Sequence, residues 1–189
     1  MVAHSVRYAY DEYVRLADES NVKLEWFHGQ IYAMSGGTPT HAALQAQVIA
    51  SLVAQLRRGP CRVYTSELRV HVLAADVATY PDVTVVCGPP SIDPKDKNAV
   101  VDATALVEVL SPSTEEYDRG AKFDAYKQLA SLRHYVLVGQ AERQVEVWTR
   151  DEAGGWTSAV AKDGEVARLD AVDATLDVRE LYDGAAPPG

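Results

Sequence analysis

A six-residue run from Ala105 to Leu110 constrains the fold of this chain more than any other feature. Every residue in it except Glu108 is apolar, which is the pattern of a short strand buried on both of its faces. Such strands belong to sheets that are covered by helices on both sides. Helical and strand-like segments also alternate along the chain, and together these features predict an α/β domain with a mixed β-sheet flanked by helices.

Hydrophobic periodicity, turn residues and capping residues predict the remaining elements. The predicted elements are helices over 10–19, about 40–58 and about 113–130, the last opened by a capping box at 113–116; a hairpin over 22–34 that turns at Gly29; strands over 61–73, 79–87, 133–139, 143–149 and 156–161; and a surface loop over 88–99.

The length of 189 residues suits one domain, which we place at 1–184 and follow with a flexible tail at 185–189. No apolar run reaches the length of a membrane span, and the first residues lack the apolar segment of a secretory signal. The two cysteines, Cys61 and Cys87, predict neither a disulfide framework nor a C-x-x-C zinc site. We therefore expect a cytoplasmic protein without a membrane partner.

The overall charge counts against a protein whose whole surface grips phosphates. There are 18 basic and 27 acidic residues, giving a formal net charge of −9. Nucleic-acid-binding domains usually carry a basic footprint. The segment 55–70, which has four arginines and one glutamate, still allows a local positive patch.

Two carboxylates occupy positions where the sequence predicts burial. Asp82 begins a β-branched run, and Glu108 lies inside the apolar strand. A buried ionised carboxylate is costly unless it is paired or bound to a metal ion. One interpretation is a structural ion pair with an arginine at a half-exposed strand end; the other is a functional site.

A lysine on the following predicted helix favours the functional interpretation. Asp118, Lys122 and Tyr126 are spaced four residues apart, which places them on one helix face. Asp118 and Lys122 alone would stabilise the helix as an i,i+4 pair. Because this helix starts directly after the Glu108 strand, Lys122 can also reach the two carboxylates. Two acids and a lysine suit a hard cation such as Mg²⁺.

These motifs, taken in order, resemble the Uma-two family of restriction endonucleases within the PD-(D/E)XK nuclease superfamily. The resemblance covers about 20–182 and is carried by Pro81-Asp82, the run Glu108-Val109-Leu110-Ser111-Pro112-Ser113-Thr114, the run Asp118-Arg119-Gly120-Ala121-Lys122, Tyr126, Glu25 with Gly29, Met34-Ser35-Gly36, His41 and the run 133–138.

The resemblance implies a restriction-endonuclease-like core and hydrolysis of phosphodiester bonds with Mg²⁺ or Mn²⁺. Carried over by position, Asp82 and Glu108 would bind the ion and Glu25 would supply a further acid. The superfamily's lysine position, two residues after the acid, holds Leu110. We expect Lys122 to serve in its place by positioning the attacking water.

The same resemblance implies nucleic acid as the partner, with DNA expected, and a homodimer, because one such centre cuts one strand. His41, Asp118 and Tyr126 are accessory candidates, although His41 could simply cap its helix and Tyr126 could belong to the core. Glu25 could instead form a surface pair. The alternative function is a catalytically inactive binding or interaction protein with the nuclease fold. A two-carboxylate glycosidase would leave Lys122 without a role.

Overall fold

The structure is a computed structural model and describes residues 6–34 and 36–185. These residues contain five α-helices and fourteen β-strands. The helices are α1 (Tyr10–Glu19), α2 (Pro39–Leu56), α3 (Glu115–Tyr117), α4 (Phe123–Tyr126) and α5 (Val178–Ala185). The strands are β1 (Leu24–Phe27), β2 (Gln30–Ala33), β3 (Cys61–Thr65), β4 (Arg69–Val72), β5 (Val77–Thr79), β6 (Val83–Cys87), β7 (Ile92–Asp93), β8 (Asp96–Val100), β9 (Ala105–Val109), β10 (His134–Val138), β11 (Gln144–Arg150), β12 (Trp156–Lys162), β13 (Val166–Leu169) and β14 (Ala174–Asp177).

The central sheet has the strand order β12-β11-β10-β9-β6-β3 and is mixed, since β9 and β10 run parallel and the other pairs run antiparallel. The side chains of β9 alternate between the hydrophobic cores on the two faces of the sheet. Val107 and Val109 pack on the side of α2 and α5, whereas Leu106 packs on the side of α4. Both faces of the sheet are therefore buried, and the predicted α/β architecture with a mixed sheet is confirmed.

The second sheet has the order β2-β1-β5-β4-β8-β7 and carries the residues that reach the site from the N-terminal part of the chain. The predicted hairpin of β1 and β2 is confirmed. Its two turn residues, His28 and Gly29, have φ values of 51° and 85°, the paired positive values that a tight type I′ hairpin turn requires. Trp26 pairs with Ala78 of β5, so that β5 leads from this sheet towards Asp82.

The prediction of a surface loop over 88–99 is wrong, because this segment contains the β7–β8 hairpin. Asp93 and Asp96 are buried: Asp96 forms an ion pair with Arg69 of β4, and Asp93 contacts the His71 ring of the same strand. Two of the polar side chains that predicted a loop therefore find hydrogen-bonding partners inside the protein. A buried carboxylate is tolerated when a cation neutralises it. Arg69 is 27 residues from Asp96 in the sequence, so the local pattern around Asp96 does not reveal this pair.

The predicted helix over about 113–130 is interrupted, and its predicted capping box is absent. Residues Asp118–Lys122 form a wide π-type turn between α3 and α4, in which Gly120 leaves the helical region with φ −108° and ψ −105°. The hydroxyl of Ser111 lies 3.0 Å from that of Ser113 and 2.9 Å from that of Thr114, and the Thr114 side chain caps no backbone N–H. The hydroxyl groups bond to one another instead of capping the helix.

Several other segment boundaries also differ from the prediction. The strand over 61–73 is two strands, β3 and β4, and the C-terminal hairpin of β13 and β14 and helix α5 were not predicted. Ala185 belongs to α5, while the rest of the predicted flexible tail, 186–189, and the first residues, 1–5, lie outside the described residues. The single-domain boundary stays a prediction. Among the described helices, none combines the length and apolarity that crossing a bilayer needs.

The two cysteines are joined, contrary to the expectation that they form no disulfide. Cys61 of β3 pairs with Cys87 of β6 across the central sheet, and their sulfur atoms are bonded. The two cysteines are 26 residues apart in sequence, and only the register of β3 with β6 makes them neighbours. Disulfides are rare in a reducing cytosol, so the cysteine count no longer supports a cytoplasmic location, which stays a prediction.

The buried Arg69–Asp96 pair should hold the β7–β8 hairpin in place. We expect Asp96→Ala to lower the free energy of unfolding by about 3–5 kcal/mol, because it leaves the buried Arg69 guanidinium without a partner charge. The matched control is Asp11→Ala, which breaks an ion pair with Lys95 whose side chains are 70% and 62% exposed and should cost less than about 1 kcal/mol. Urea unfolding measures both; equal losses would contradict the anchoring role.

Candidate active site

Glu108 lies in the middle of the central sheet with only 4% of its surface exposed. Strand β9 directs its side chain towards the turn 118–122. Its Oε1 accepts hydrogen bonds from Lys122 Nζ at 2.9 Å and from the Tyr126 hydroxyl at 3.0 Å. Its Oε2 receives only a long contact of 3.4 Å from the Asp82 N–H. One carboxylate oxygen is therefore fully engaged, and the other retains accepting capacity.

The sheet register places Asp82 beside Glu108. Val83 of β6 pairs with Val107 of β9, so Asp82, one residue before Val83, lies next to Glu108. The Val109 N–H donates to Asp82 Oδ2 at 2.7 Å, and His41 Nε2 lies 3.2 Å from the same oxygen. Asp82 is thus held by its neighbouring strand and by the first turn of α2.

The side-chain amide of Gln45 fixes Asp82 from the next turn of the same helix. Its Nε2 donates to the Asp82 main-chain carbonyl at 2.8 Å and contacts Oδ1 at 3.4 Å. Gln45 lies one turn after His41, so the two side chains reach the same residue from one helix face. The sequence pattern did not single out Gln45, since a half-buried glutamine in a helix carries no chemical signal of its own.

Lys122 is the only cation among the described side chains that contacts several of the candidate carboxylates. Its Nζ lies 2.9 Å from Glu108, 3.5 Å from Asp118 and 3.9 Å from Glu25. The wide turn at 118–122 brings the lysine to this position with 4% of its surface exposed. The spacing of Asp118 and Lys122 predicted one helix face, and the two side chains do meet.

Glu25 arrives from the second sheet and is buried rather than part of a surface pair. Its Oε1 accepts a hydrogen bond of 3.0 Å from the Tyr80 N–H and lies 3.9 Å from Lys122. Tyr80 lies between β5 and Asp82 in sequence, so the same short segment positions both acids. The structure therefore brings Glu25, Asp82, Glu108 and Lys122 together in one cluster.

Tyr126 is oriented by a residue that the sequence did not indicate. The Thr79 hydroxyl lies 2.8 Å from the Tyr126 hydroxyl, which donates to Glu108. Both residues are fully buried. Thr79 belongs to β5 of the second sheet, and only the packing of that sheet against α4 makes this contact.

The electrostatics of the cluster follow from its burial. Burial raises the pKa of Glu108 well above its ordinary value; the nearby Asp118 and Asp82 raise it further, and Lys122 opposes them. Burial lowers the pKa of Lys122, but Glu108, Glu25 and Asp118 outweigh burial and hold that pKa well above its ordinary value. Lys122 therefore stays an ammonium ion, and Glu108 takes up a proton more readily than an exposed glutamate.

The carboxylate pair suits a hard divalent cation in its chemistry, although the described residues contain no group of three or more His, Cys, Asp and Glu side chains arranged as a metal site. Mg²⁺ commonly uses only one or two protein carboxylates, with water and substrate completing its shell. Asp82 and Glu108 supply such a pair. The lightly engaged Glu108 Oε2 lies on the side facing Asp82, which fits a cation held between them.

With this geometry in place, comparison with known proteins identifies the family. The sequence model of the Uma2 family, described as "Putative restriction endonuclease", matches residues 10–179. The chain belongs to the Uma2 family. The Uma2 resemblance that the motifs indicated is thereby confirmed.

Two relatives and one solved structure are similar to this chain over most of its length. The protein is 31% identical to the uncharacterized protein slr1290 of Synechocystis, covering 98% of this chain and all of that protein. It is 24% identical to the Synechocystis protein sll1609, covering 82% and 89%. A crystal structure from Anabaena variabilis, titled a putative nuclease belonging to DUF820, matches with a TM-score of 0.75 at 17% identity over 93% of this chain and 98% of that one. At that identity, the structural match shows the fold.

The contact between Lys122 and Glu108 should be energetically coupled. We expect Lys122→Met to lower the free energy of unfolding by about 3–5 kcal/mol, because it leaves buried carboxylates without a counter-charge. Combined with Glu108→Gln, it should cost less than the sum of the single changes, with a coupling of about 0.5–3 kcal/mol. Urea unfolding of the wild type and three variants measures the cycle. Strict additivity would contradict a direct interaction.

The hydrogen bond between His41 and Asp82 should make stability depend on pH. It raises the pKa of His41 above its ordinary value, against the opposing effect of partial burial. A raised folded-state pKa contributes stability that is fully present below the unfolded value of about 6.5 and is lost as the pH rises through the folded value. The stability difference between wild type and His41→Gln should therefore shrink between pH 5.5 and 8.5, as measured by urea unfolding. A difference that grows with pH would contradict this contact.

Proposed function

We propose that the cluster of Asp82, Glu108 and Lys122 is the active site of a nuclease that hydrolyses phosphodiester bonds of DNA with Mg²⁺ or Mn²⁺. The observation that carries this proposal is the 2.9 Å contact between Lys122 Nζ and Glu108 Oε1. Lys122 thereby places an ammonium group beside Glu108. The position two residues after Glu108, where the superfamily has its lysine, holds the apolar, buried Leu110. Membership of the Uma2 family supports the same conclusion.

The charge balance of the cluster supports a cation as part of the working site. Glu25, Glu108 and Asp118 lie within 4 Å of Lys122, and Asp82 adjoins Glu108. Three carboxylates thus share the Lys122 ammonium group in a largely buried region, and Asp82 is paired instead with His41, which leaves more acidic than basic groups in the cluster. Buried charge is costly unless it is compensated. A bound divalent cation would compensate it. Burial is the main cause of the raised pKa of Glu108, and the neighbouring Asp118 and Asp82 add to it.

Each residue then has a role that its contacts support. Asp82 and Glu108 would hold the cation, which when bound would supply positive charge to polarise a phosphoryl oxygen. Lys122 would position the attacking water and stabilise the negative charge that develops on the phosphate. Tyr126 fixes the Glu108 carboxylate, and His41 and Gln45 fix Asp82. Glu25 and Asp118 keep Lys122 charged and in place.

DNA as the substrate and a homodimer as the working unit belong to this proposal. One cluster per chain can cut one strand, so cleavage of both strands of a duplex is explained by two copies related by a two-fold axis. The net charge of −9 then limits nucleic-acid contacts to local surfaces around the site.

A catalytically inactive binding protein with the same fold is the second candidate function. Two observations favour it: the superfamily's lysine position holds Leu110, and the net charge of −9 disfavours tight phosphate binding. Such a protein would keep the fold without a metal-loaded centre. Cation binding separates the two candidates before any substrate is known.

Mutation of the cluster should abolish cleavage. We expect the wild type with Mg²⁺ or Mn²⁺ to cut duplex DNA, and Glu108→Gln or Lys122→Met to reduce the rate by about 100-fold or more, because each removes a group that acts on the reacting phosphate. The rate is measured on labelled DNA, with labelled RNA in parallel. Glu116→Gln, which changes an exposed glutamate, and Lys127→Met, which changes a half-buried lysine paired with Asp124 outside the cluster, are matched controls and should retain activity. Equal rates in all variants would contradict the assignment.

Calorimetry with Mn²⁺ separates the nuclease from the inactive binding protein. We expect one site per chain in the wild type and loss of the binding heat in Asp82→Asn and Glu108→Gln. The control Glu116→Gln should bind as the wild type does. Absence of binding in the folded wild type would favour the inactive binding protein.

A further inference from the structure

A polar cavity lies beside the candidate active site, and its residues take no part in the proposed chemistry. Its volume is about 590 Å³, within the range of cavities that hold small ligands. We call it the Lys23 groove. The lining residues that matter here are Lys23, Tyr64, Thr65, Tyr80, Lys97 and Asn98.

The Lys23 groove and the active-site cluster share one wall. The Tyr80 side chain lines the groove, while its backbone N–H holds Glu25 in the cluster. Lys23 precedes Glu25 by two residues in an extended segment, so the two side chains leave the same face about 7 Å apart. At the other end, Thr65 pairs with Val83, the neighbour of Asp82. A chain-like substrate bound at the cluster would therefore continue into the groove.

The Lys23 ammonium group already has three polar partners, of which the Ser66 hydroxyl lies 3.1 Å away, whereas Lys97 is open to an anion. Lys97 is exposed and forms no ion pair within the described residues. Lys23 Nζ contacts Glu67 at 2.7 Å and the Ser66 carbonyl at 2.9 Å. The Glu67 side chain is 80% exposed, so this pair contributes little stability and can be exchanged for another anion.

Aromatic side chains accompany the lysines. Tyr64 is half-buried in the groove wall, and Lys23 Nζ lies 5.7 Å from the centre of the Tyr80 ring. Two ammonium groups next to a half-buried aromatic ring are the combination that binds a nucleotide of a single strand, with the base stacked on the ring, and the exposed Glu67 that lines the same groove reduces its positive charge. The acidic Asp18, which contacts Asn98 at 3.4 Å, lies at the same groove.

We propose that the Lys23 groove binds the nucleotide adjacent to the scissile phosphate, with its phosphate on Lys23 and Lys97 and its base on Tyr64. This inference rests on the proposed nuclease function and adds a substrate preference: the strand leaving the active site is unpaired over at least one nucleotide. The groove is a binding subsite that contributes to affinity rather than to the chemical step.

The experiment measures binding of a fluorescein-labelled single-stranded DNA oligonucleotide by anisotropy, in EDTA to prevent cleavage, over a series of salt concentrations. We expect Lys97→Gln and Lys23→Gln each to weaken binding by several-fold and to reduce the slope of log affinity against log salt by about one, since each removes one phosphate contact. The control Lys162→Gln removes an exposed lysine of β12, away from the groove, and should leave the slope unchanged.

A second pair of variants tests the aromatic contact. Tyr64→Ala should weaken binding about tenfold through loss of base stacking, and Tyr64→Phe, which keeps the ring, should restore wild-type affinity. If the Tyr64 hydroxyl rather than the ring were needed, Tyr64→Phe would weaken binding as much as Tyr64→Ala does. Circular dichroism confirms that each variant is folded.

Cleavage kinetics distinguish failure of this inference from failure of the proposed function. Groove variants should raise KM and leave kcat within about twofold, whereas Glu108→Gln should lower kcat. Suppose that the wild type cleaves DNA, but the Lys23, Lys97 and Tyr64 variants have the same KM and affinity as Lys162→Gln. That result would overturn the groove assignment and leave the nuclease assignment intact. A folded wild type that neither binds nor cleaves nucleic acid would overturn both.

Discussion

The structure depends on one buried ammonium group. Lys122 is surrounded by Glu25, Glu108 and Asp118, which come from three different parts of the chain and two different sheets. Without the lysine, these carboxylates would have to take up protons or be exposed to water. The cluster constrains the fold, because it joins the two sheets at one point. It also concentrates negative charge, which the proposed cation would balance.

The register of the central sheet explains why this arrangement is precise. Pairing of Val83 with Val107 sets Asp82 beside Glu108, and a shift by one residue would turn Glu108 away from Lys122. Around this pair, neutral hydroxyl groups and one amide complete the hydrogen bonds; burial raises the pKa of Tyr126 well above its ordinary value, so it remains a donor. The polar groups of the site are therefore held by rigid elements, which is the condition for catalytic geometry.

The sequence predicted the members of this cluster better than it predicted the elements that carry them. Acids in an apolar strand and a lysine at helical spacing are visible locally, because burial makes their chemistry costly. The contacts of Thr79 and Gln45 were not visible, since they arise from packing between distant segments. The same reason explains the mistaken loop over 88–99, where His71 and Arg69 of a distant strand contact the buried Asp93 and Asp96, and the unrecognised pairing of Cys61 with Cys87. Gly120, at which the predicted helix breaks, could have warned of an interruption.

The proposed chemistry requires Asp82 and Glu108 to hold a cation next to Lys122. Diffraction from a crystal soaked with Mn²⁺, recorded for anomalous scattering, tests it most directly. We expect a peak at about 2.1 Å from an oxygen of each carboxylate, with Lys122 still adjoining Glu108. A fully folded protein with no peak there under saturating Mn²⁺, or with a peak bound only elsewhere, would contradict it.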